Sequence, residues 1–399
     1  MSVTSLSQAK TPPTRITLIL LTAVAVLTLN LFLPSLPSMA ADFNVSYGAI
    51  SFTIAGYLFL SAALSLVLGP LADKYGRRPV LLTTFSIFAL ASVGAAVTEN
   101  FALFLMFRML QAVCAAGSSL SRAIVRDIHP PGRGTSVLAY ISMAMAIAPM
   151  LGPMVGGLME ETLGWRSVFW LFAAMGFFCV ALMWVDLGET APGKGNSFKQ
   201  QVVGYKTILQ SKMFWSHTMV IGFSITAFFI FLSGAPLVAS SHFNLAPSRV
   251  GLALGSIAVG FFIGSFIAAR VSERVSRGKM LIWGRRIAVV GPLCAFALVM
   301  FDLTTPIVFF GLLTTMGLGN GISIPSANTG AMSVRADLAG SASGLSAAMA
   351  TTMGAISSAL TGAILTPENA MWLFVALLIL ACFASLIFAH LAAKELEKV

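Results

Sequence analysis

The sequence predicts an all-α integral membrane protein of twelve transmembrane helices, arranged as two six-helix pseudo-symmetric bundles around a central cavity. Three observations carry this. The 399 residues are 57% hydrophobic and only 10% charged, a balance no soluble core of this size requires. Apolar runs long enough to cross the hydrocarbon of a bilayer, about 20 residues each, recur along the whole chain. One polar stretch near the middle divides them into six and six.

In order, the runs fall at 16–37, 48–71, 79–98, 101–124, 136–159, 166–185, 213–240, 249–270, 283–301, 305–330, 339–364 and 370–391. The first exceeds the apolar core of a secretory leader and ends in proline rather than at a small-residue cleavage site, so it reads as the first transmembrane helix. The dividing stretch is DLGETAPGKGNSFKQQVVGYKTILQSK. The chain is therefore expected to comprise a tail at 1–15, a bundle at 16–185, a linker at 186–212, a second bundle at 213–391 and a tail at 392–399. A shift of 200 residues lays LADKYGRR (71–78) over VSERVSRG (271–278), with Asp73 over Glu273 and Arg77 over Arg277. Pro34 comes near Pro236. Such a weak duplication is expected where two similar bundles rock about a shared site.

A net charge of +10 raises the question of nucleic acid, and the position of the charges answers it. Of the 24 basic residues, 21 fall on one side of the spans, Arg285 and Arg286 being counted at the mouth of the ninth run. Only Arg166 and Arg249 fall on the other side, and Arg108 falls within a span. This is the positive-inside pattern, with both termini cytoplasmic, and no nucleic-acid partner is needed. All fourteen acidic residues fall outside the spans or at their ends, and so do His129, His217, His242 and His390. Cys114, Cys179, Cys294 and Cys382 sit in apolar runs without ligand spacing. No catalytic grouping, metal site or phosphate loop is present in the sequence, so no enzyme and no cofactor is expected.

GPLADKYGRRPVL (69–81) joins the second and third spans. Gly69 is suited to close helix approach and Gly76 to a tight turn. Asp73, four residues before Arg77, is placed for a charge-assisted pair, with Arg78 and Asp127 and Asp337 of nearby loops completing a cytoplasmic gate. This stretch resembles the loop signature of the major facilitator superfamily. APMLGPMVGGLM (148–159), with Pro149, Gly152, Pro153, Gly156 and Gly157, resembles the fifth-helix signature of the superfamily's antiporters and exporters. Gly152 and Gly156 form a GxxxG face that Gly251 and Gly255 of the eighth span are expected to meet, either as an outer gate or hinge or as plain tight packing. LFLPSLP (31–37), AIVRDIHP (123–130), FLSGAPLV (231–238) and LAGSASGL (338–345) together resemble the Bcr/CflA group of bacterial drug exporters. The resemblance covers all twelve spans. It implies a multi-pass protein of the bacterial inner membrane, exporting small amphipathic compounds by alternating access in exchange for protons; a monomer is expected.

The expected substrate cavity holds Asn30, Pro34, Arg108, Gln111, Phe228, Asn320 and Asn328. Arg108 and Gln111 lie in the fourth span, where a charge either faces a polar cavity or snorkels to the interface. Asn320 and Asn328 belong to GLGNGISIPSANTGAM (317–332), whose polar groups face either a wet cavity or neighbouring helices. Phe228 sits in an aromatic stripe that is either ligand-facing or core. Asn30 occupies the place where many relatives of this group carry an acid. An amide does not titrate, and it matches a carboxyl held neutral. Asn30 and Arg108 both lie about 10 Å from the outer surface, so they are expected to face each other across the cavity, where an aspartate at position 30 would pair with Arg108 and Asn30 leaves it without an anion. Three readings stay open. The substrate is an anionic metabolite anchored by Arg108, exported or imported; coupling runs through the loop carboxylates or is absent; or position 30 has been changed from an acid to its neutral mimic.

Overall fold

A computed structural model describes residues 13–128, 135–190, 207–333 and 338–397. Each apolar run lies on a helix. The spans are Arg15–Asp42, Tyr47–Tyr75, Arg77–Val97, a fourth built from Phe101–Leu110, a 3-10 turn Gln111–Cys114 and Ala115–Ile128, then Thr135–Leu163 and Arg166–Asp186. The second six are Lys212–Ser241, Pro247–Val271, Arg277–Met300, Pro306–Met332, Ala339–Ile364 and Ala370–Leu396. Among the described residues eleven helices are long and apolar enough to cross a membrane, and the fifth span, 29 residues long, completes the twelve of the sequence pattern. The all-helical, multi-pass class is as expected.

Two boundaries differ in an instructive way. The first span does not stop at Pro37. Its helix breaks after Asn30, tightens into a 3-10 turn at Leu33–Ser35, and resumes over Leu36–Asp42. Pro34, which has no N–H to give, and Pro37 sit at starts of these short pieces, where a missing donor is tolerated. The ninth span begins at Arg277, not 283, directly after Ser276 in extended backbone, so its first turn and a half precedes the apolar run.

The duplication extends into the backbone. Asn44 and Asn244, 200 residues apart, both adopt the left-handed conformation (φ 51° and 49°) in the loop after the first helix of each half. The preceding phenylalanines nucleate matching aromatic clusters. Phe43 packs on Phe104 at 5.0 Å and Trp165 at 5.4 Å; Phe243 packs on Phe309 at 5.6 Å and Phe310 at 6.2 Å. These clusters mark one side of the molecule, called the far side below. The opposite ends, carrying Asp73 and Arg77, form the basic side.

The first six helices pack mainly on one another, as do the last six, and the halves meet through pairs five–eight, two–eleven and one–seven. The close contacts of these pairs cluster toward the far side. A Cβ on Gly48 would lie 2.9 Å from Gly362 O, and one on Gly251 would lie 2.1 Å from Pro153 O. Tyr47 Oη donates across the halves to Ser233 O at 2.6 Å. At the basic end of the second helix the opposite holds: among the described residues no atom lies within 4 Å of a Cβ position on Gly69, so none of them makes the expected close approach there.

Candidate functional site

Arg108 is fully buried, which rules out snorkelling. Nη1 donates to Gln111 Oε1 at 2.7 Å and Nη2 to Thr28 O at 2.8 Å, while the guanidinium lies between the rings of Phe32 (4.2 Å) and Tyr57 (4.4 Å). Gln111 Nε2 passes the chain on to Ser92 Oγ at 2.8 Å. The placement has a local cause. Leu31 N–H still bonds Leu27 O, and the next carbonyl, Thr28 O, is where the first helix breaks. A cation at a helix C-terminus completes an orphan carbonyl and complements the dipole. Arg108 therefore caps the broken first helix, and the aromatic faces and the amide stand in for an anion.

Asn30 is not its counterpart. Nδ2 donates back to Val26 O at 2.8 Å, Oδ1 is buried without a hydrogen-bond partner, and the side chain faces Gly152 of the fifth helix. Helical geometry explains this. At about 100° per residue, Asn30 points roughly opposite to Thr28 and Phe32, the two residues that hold Arg108. The expected placement of Asn30 opposite Arg108 across a cavity is replaced by two separate sites, and Pro34 is buried in the turn beyond them.

Asn320 meets a residue that the charge pattern misplaced. Arg285, assigned in the sequence reading to the cytoplasmic mouth, is 1% exposed within the ninth helix. Nη2 donates to Asn320 Oδ1 at 2.7 Å, and Nη1 donates to Ser224 Oγ and to Ser385 Oγ, the latter at 3.4 Å. Helices seven, nine, ten and twelve are thereby tied together. The signal was available: a doubled arginine two residues inside an apolar run, with serines and an amide on neighbouring spans. Asn328 lies two turns beyond Asn320 and is exposed, and Phe228 is half-buried edge-on to Phe229 at 5.5 Å. The set expected in one cavity thus separates into Arg108 with Gln111, Asn320 with Arg285, and Asn30, Phe228 and Asn328 apart.

The gate residues divide likewise. Arg77 Nη2 pairs with Asp73 at 2.7 Å and Nε with Asp127 at 3.2 Å, so the loop signature and the fourth helix are joined as expected. Asp337 lies outside the described residues. Glu189, not singled out from sequence, accepts from the backbone N–H of Arg77 at 2.8 Å and of Arg78 at 3.3 Å, capping the third helix. Gly76 makes room for it, since a Cβ there would lie 2.2 Å from Glu189 Oε2 and its φ is 101°. On the far side, Gly156 packs on the first helix, a Cβ lying 1.6 Å from Leu31 O, and Gly152 faces Leu27 and Asn30. The expected match of Gly152 and Gly156 with Gly251 and Gly255 is therefore corrected. Gly157 meets Pro247 O, Gly251 meets Pro153 O, and Gly255 meets Met150 O, on the neighbouring face of the fifth helix. Pro149 lies within that helix.

A duplicated all-helical membrane bundle with buried polar ties is the architecture of transporters of small molecules. The family model described as Major Facilitator Superfamily matches residues 18–358. The chain belongs to that superfamily. It is 30% identical over 349 residues (84% of this chain, 85% of the relative) to the uncharacterized MFS-type transporter YdgK of Bacillus subtilis (strain 168). It is 28% identical over 315 residues (77% and 74%) to a chloramphenicol resistance protein of Pseudomonas aeruginosa. The fold matches the crystal structure of a bacterial homologue of the human lysosomal transporter Spinster, inward-facing and unoccupied, with a TM-score of 0.77 at 15% identity over 96% of this chain and 97% of that one.

Proposed function

We propose that the protein exports small amphipathic compounds across the bacterial inner membrane by alternating access, in exchange for protons, with both termini in the cytoplasm. The observation that carries the substrate class is electrostatic. Two guanidinium groups, Arg108 and Arg285, are buried in the spans, while every described acidic side chain lies at a helix end or in a loop. A cation entering that interior meets positive charge that no acidic side chain among the described residues offsets, at low dielectric. Neutral compounds do not, which favours an uncharged amphipath of the chloramphenicol kind over a lipophilic cation. Direct anchoring of an anion by Arg108 is disfavoured, because its guanidinium is enclosed by Phe32, Tyr57, Gln111 and Thr28.

The far-side contacts fit a state closed on that face. Release there requires the five–eight and two–eleven contacts to part, and the Asp73–Arg77–Asp127 cluster serves as the opposing latch. The test is efflux of chloramphenicol and of ethidium from cells expressing the protein, with and without an uncoupler. Chloramphenicol is expected to be exported at least about tenfold better than ethidium, the ratio that a 1.4 kcal/mol charge penalty would give. Equal or better export of ethidium would remove the electrostatic argument.

A further inference from the structure

We propose that Nε2 of His217 is the proton-binding site of the exchange, a role that rests on the coupling reading above. His217 is fully buried on the seventh helix, about 7 Å inside its basic end. Nδ1 is 2.9 Å from Met213 O, a carbonyl that only accepts, so Nδ1 carries the hydrogen in the neutral ring and Nε2 presents a bare lone pair. Nε2 has no hydrogen-bond partner among the described residues. With the acidic side chains confined to helix ends and loops, His217 is the imidazole that the described spans enclose with a proton-accepting atom left unused.

Its surroundings convert proton binding into movement. The ring lies against the tenth helix at Gly330, where a Cβ would fall 2.0 Å from Cδ2 and 2.2 Å from Nε2. Five residues earlier Pro325 interrupts the hydrogen-bond ladder of that helix, and Asn328 and Thr329, two residues and one residue before Gly330, are exposed. An imidazolium needs an acceptor for its new N–H, and the dry contact with Gly330 supplies none. Protonation therefore draws in water and displaces the end of the tenth helix beyond Pro325. A compound bound on the Asn328–Thr329 surface presses that end back and expels the proton. Proton and substrate bind in opposition through one hinge. No bond other than N–H forms or breaks.

The described charged groups at this end of the second bundle are Lys212 on the same helix, Arg270, Glu273 and Arg274 at the end of the eighth, Arg277, Lys279 and Arg286 on the ninth, and His390, Lys394, Glu395 and Glu397 on and just after the twelfth. The eleventh helix presents Ser346, bonded to Thr218 at 3.2 Å. Arg335 and Asp337 lie outside the described residues. None of the described side chains is bonded to Nε2.

The test uses full-length protein in proteoliposomes with an internal pH dye and an imposed chloramphenicol gradient. The wild type is expected to move protons against chloramphenicol, and His217→Gln to pass chloramphenicol downhill with proton movement reduced at least about tenfold. Unchanged proton movement in His217→Gln overturns the site while leaving coupling intact. Absence of proton movement in the wild type overturns the coupling reading and the site with it. Should His217→Gln not fold, or chloramphenicol not move, imidazole nitrogen resonances of protein carrying His129→Gln, His242→Gln and His390→Gln decide. Protonation of Nε2 between about pH 8 and pH 5 upholds the site, and a ring that stays neutral throughout overturns it.

Discussion

The two halves each bury one guanidinium without an acid, and they spend it differently. In the first half, Arg108 lies about 10 Å from the far end of its helix and caps Thr28 O, where the first helix breaks. In the second, Arg285 lies about 12 Å from the basic end of its helix and cross-links three other helices through hydroxyls and one amide. The difference follows the backbone. The first helix breaks before Pro34, whereas the seventh continues through Pro236 as one helix, Lys212–Ser241. Arg108 meets a carbonyl freed at a break, and the seventh helix offers no such break for Arg285 to cap. The lesson is that a buried arginine in this fold is a fastening whose partner is dictated by local helix geometry, not by the duplicated sequence.

The comparison is broken most strongly at Arg108. Arg108→Ala leaves Thr28 O and Gln111 Oε1 unpaired and opens a void between Phe32 and Tyr57. A loss of about 3 kcal/mol or more is expected, read as a lowered melting temperature of the protein in detergent. Arg285→Ala is expected to cost less, about 2 kcal/mol. Ser224 and Ser385 already lie 3.2 Å apart and both reach Val220 O, so only Asn320 is left without its partner. Equal losses would show that the cap on Thr28 O is worth nothing beyond hydrogen-bond count.

Much of this arrangement was legible in the sequence. The twelve runs, the charge bias, and the pairing of Asp73 with Arg77 follow from length, side preference and i,i+4 spacing, properties that tertiary packing does not alter. What was misread depended on which way a side chain faces. Asn30 and Arg108 share a depth, yet Thr28 and Phe32 rather than Asn30 lie on the face of the first helix that meets the fourth. Gly152 and Gly156 share a face too, and that face turned out to belong to the first helix rather than the eighth. The depth of Arg285 is hidden in the sequence because its helix begins at Arg277, six residues before the apolar run. His217 was passed over because a place near a span end does not reveal a closed, one-sided hydrogen-bond environment.

Between the two contacts of the second helix, a single methyl sharpens the contrast of far and basic sides. Gly48→Ala places a carbon 2.9 Å from a backbone oxygen of the eleventh helix, which cannot move aside alone. It is expected to part the halves on the far side, destabilising this state by about 1–3 kcal/mol and raising cysteine labelling of far-side cavity positions. Gly69→Ala meets nothing within 4 Å and is expected to be neutral or slightly stabilising in this state. A loss of transport in Gly69→Ala without a loss of stability would place the close approach of Gly69 in the opposite state, when the basic ends come together.

The smallest effect is expected where the duplicated loops are compared directly. Asp73 and Glu273 are related by the 200-residue shift, but only the first copy forms ion pairs among the described residues, through Arg77 to both Asp73 and Asp127. Asp73→Asn removes one of the two carboxylates that hold a nearly buried guanidinium, and Asp127 retains the other. A stability loss of about 1 kcal/mol is expected, together with a transport rate changed several-fold, because the latch is partly exposed and half of it survives. Glu273→Gln removes an exposed charge with no described ion pair, and a change within about 0.5 kcal/mol is expected. Thermal melting and chloramphenicol efflux of the two variants separate the loops. If Glu273→Gln slows transport as much as Asp73→Asn, the second loop must form its own latch in the opposite state, and the asymmetry seen here belongs to one conformation rather than to the two halves.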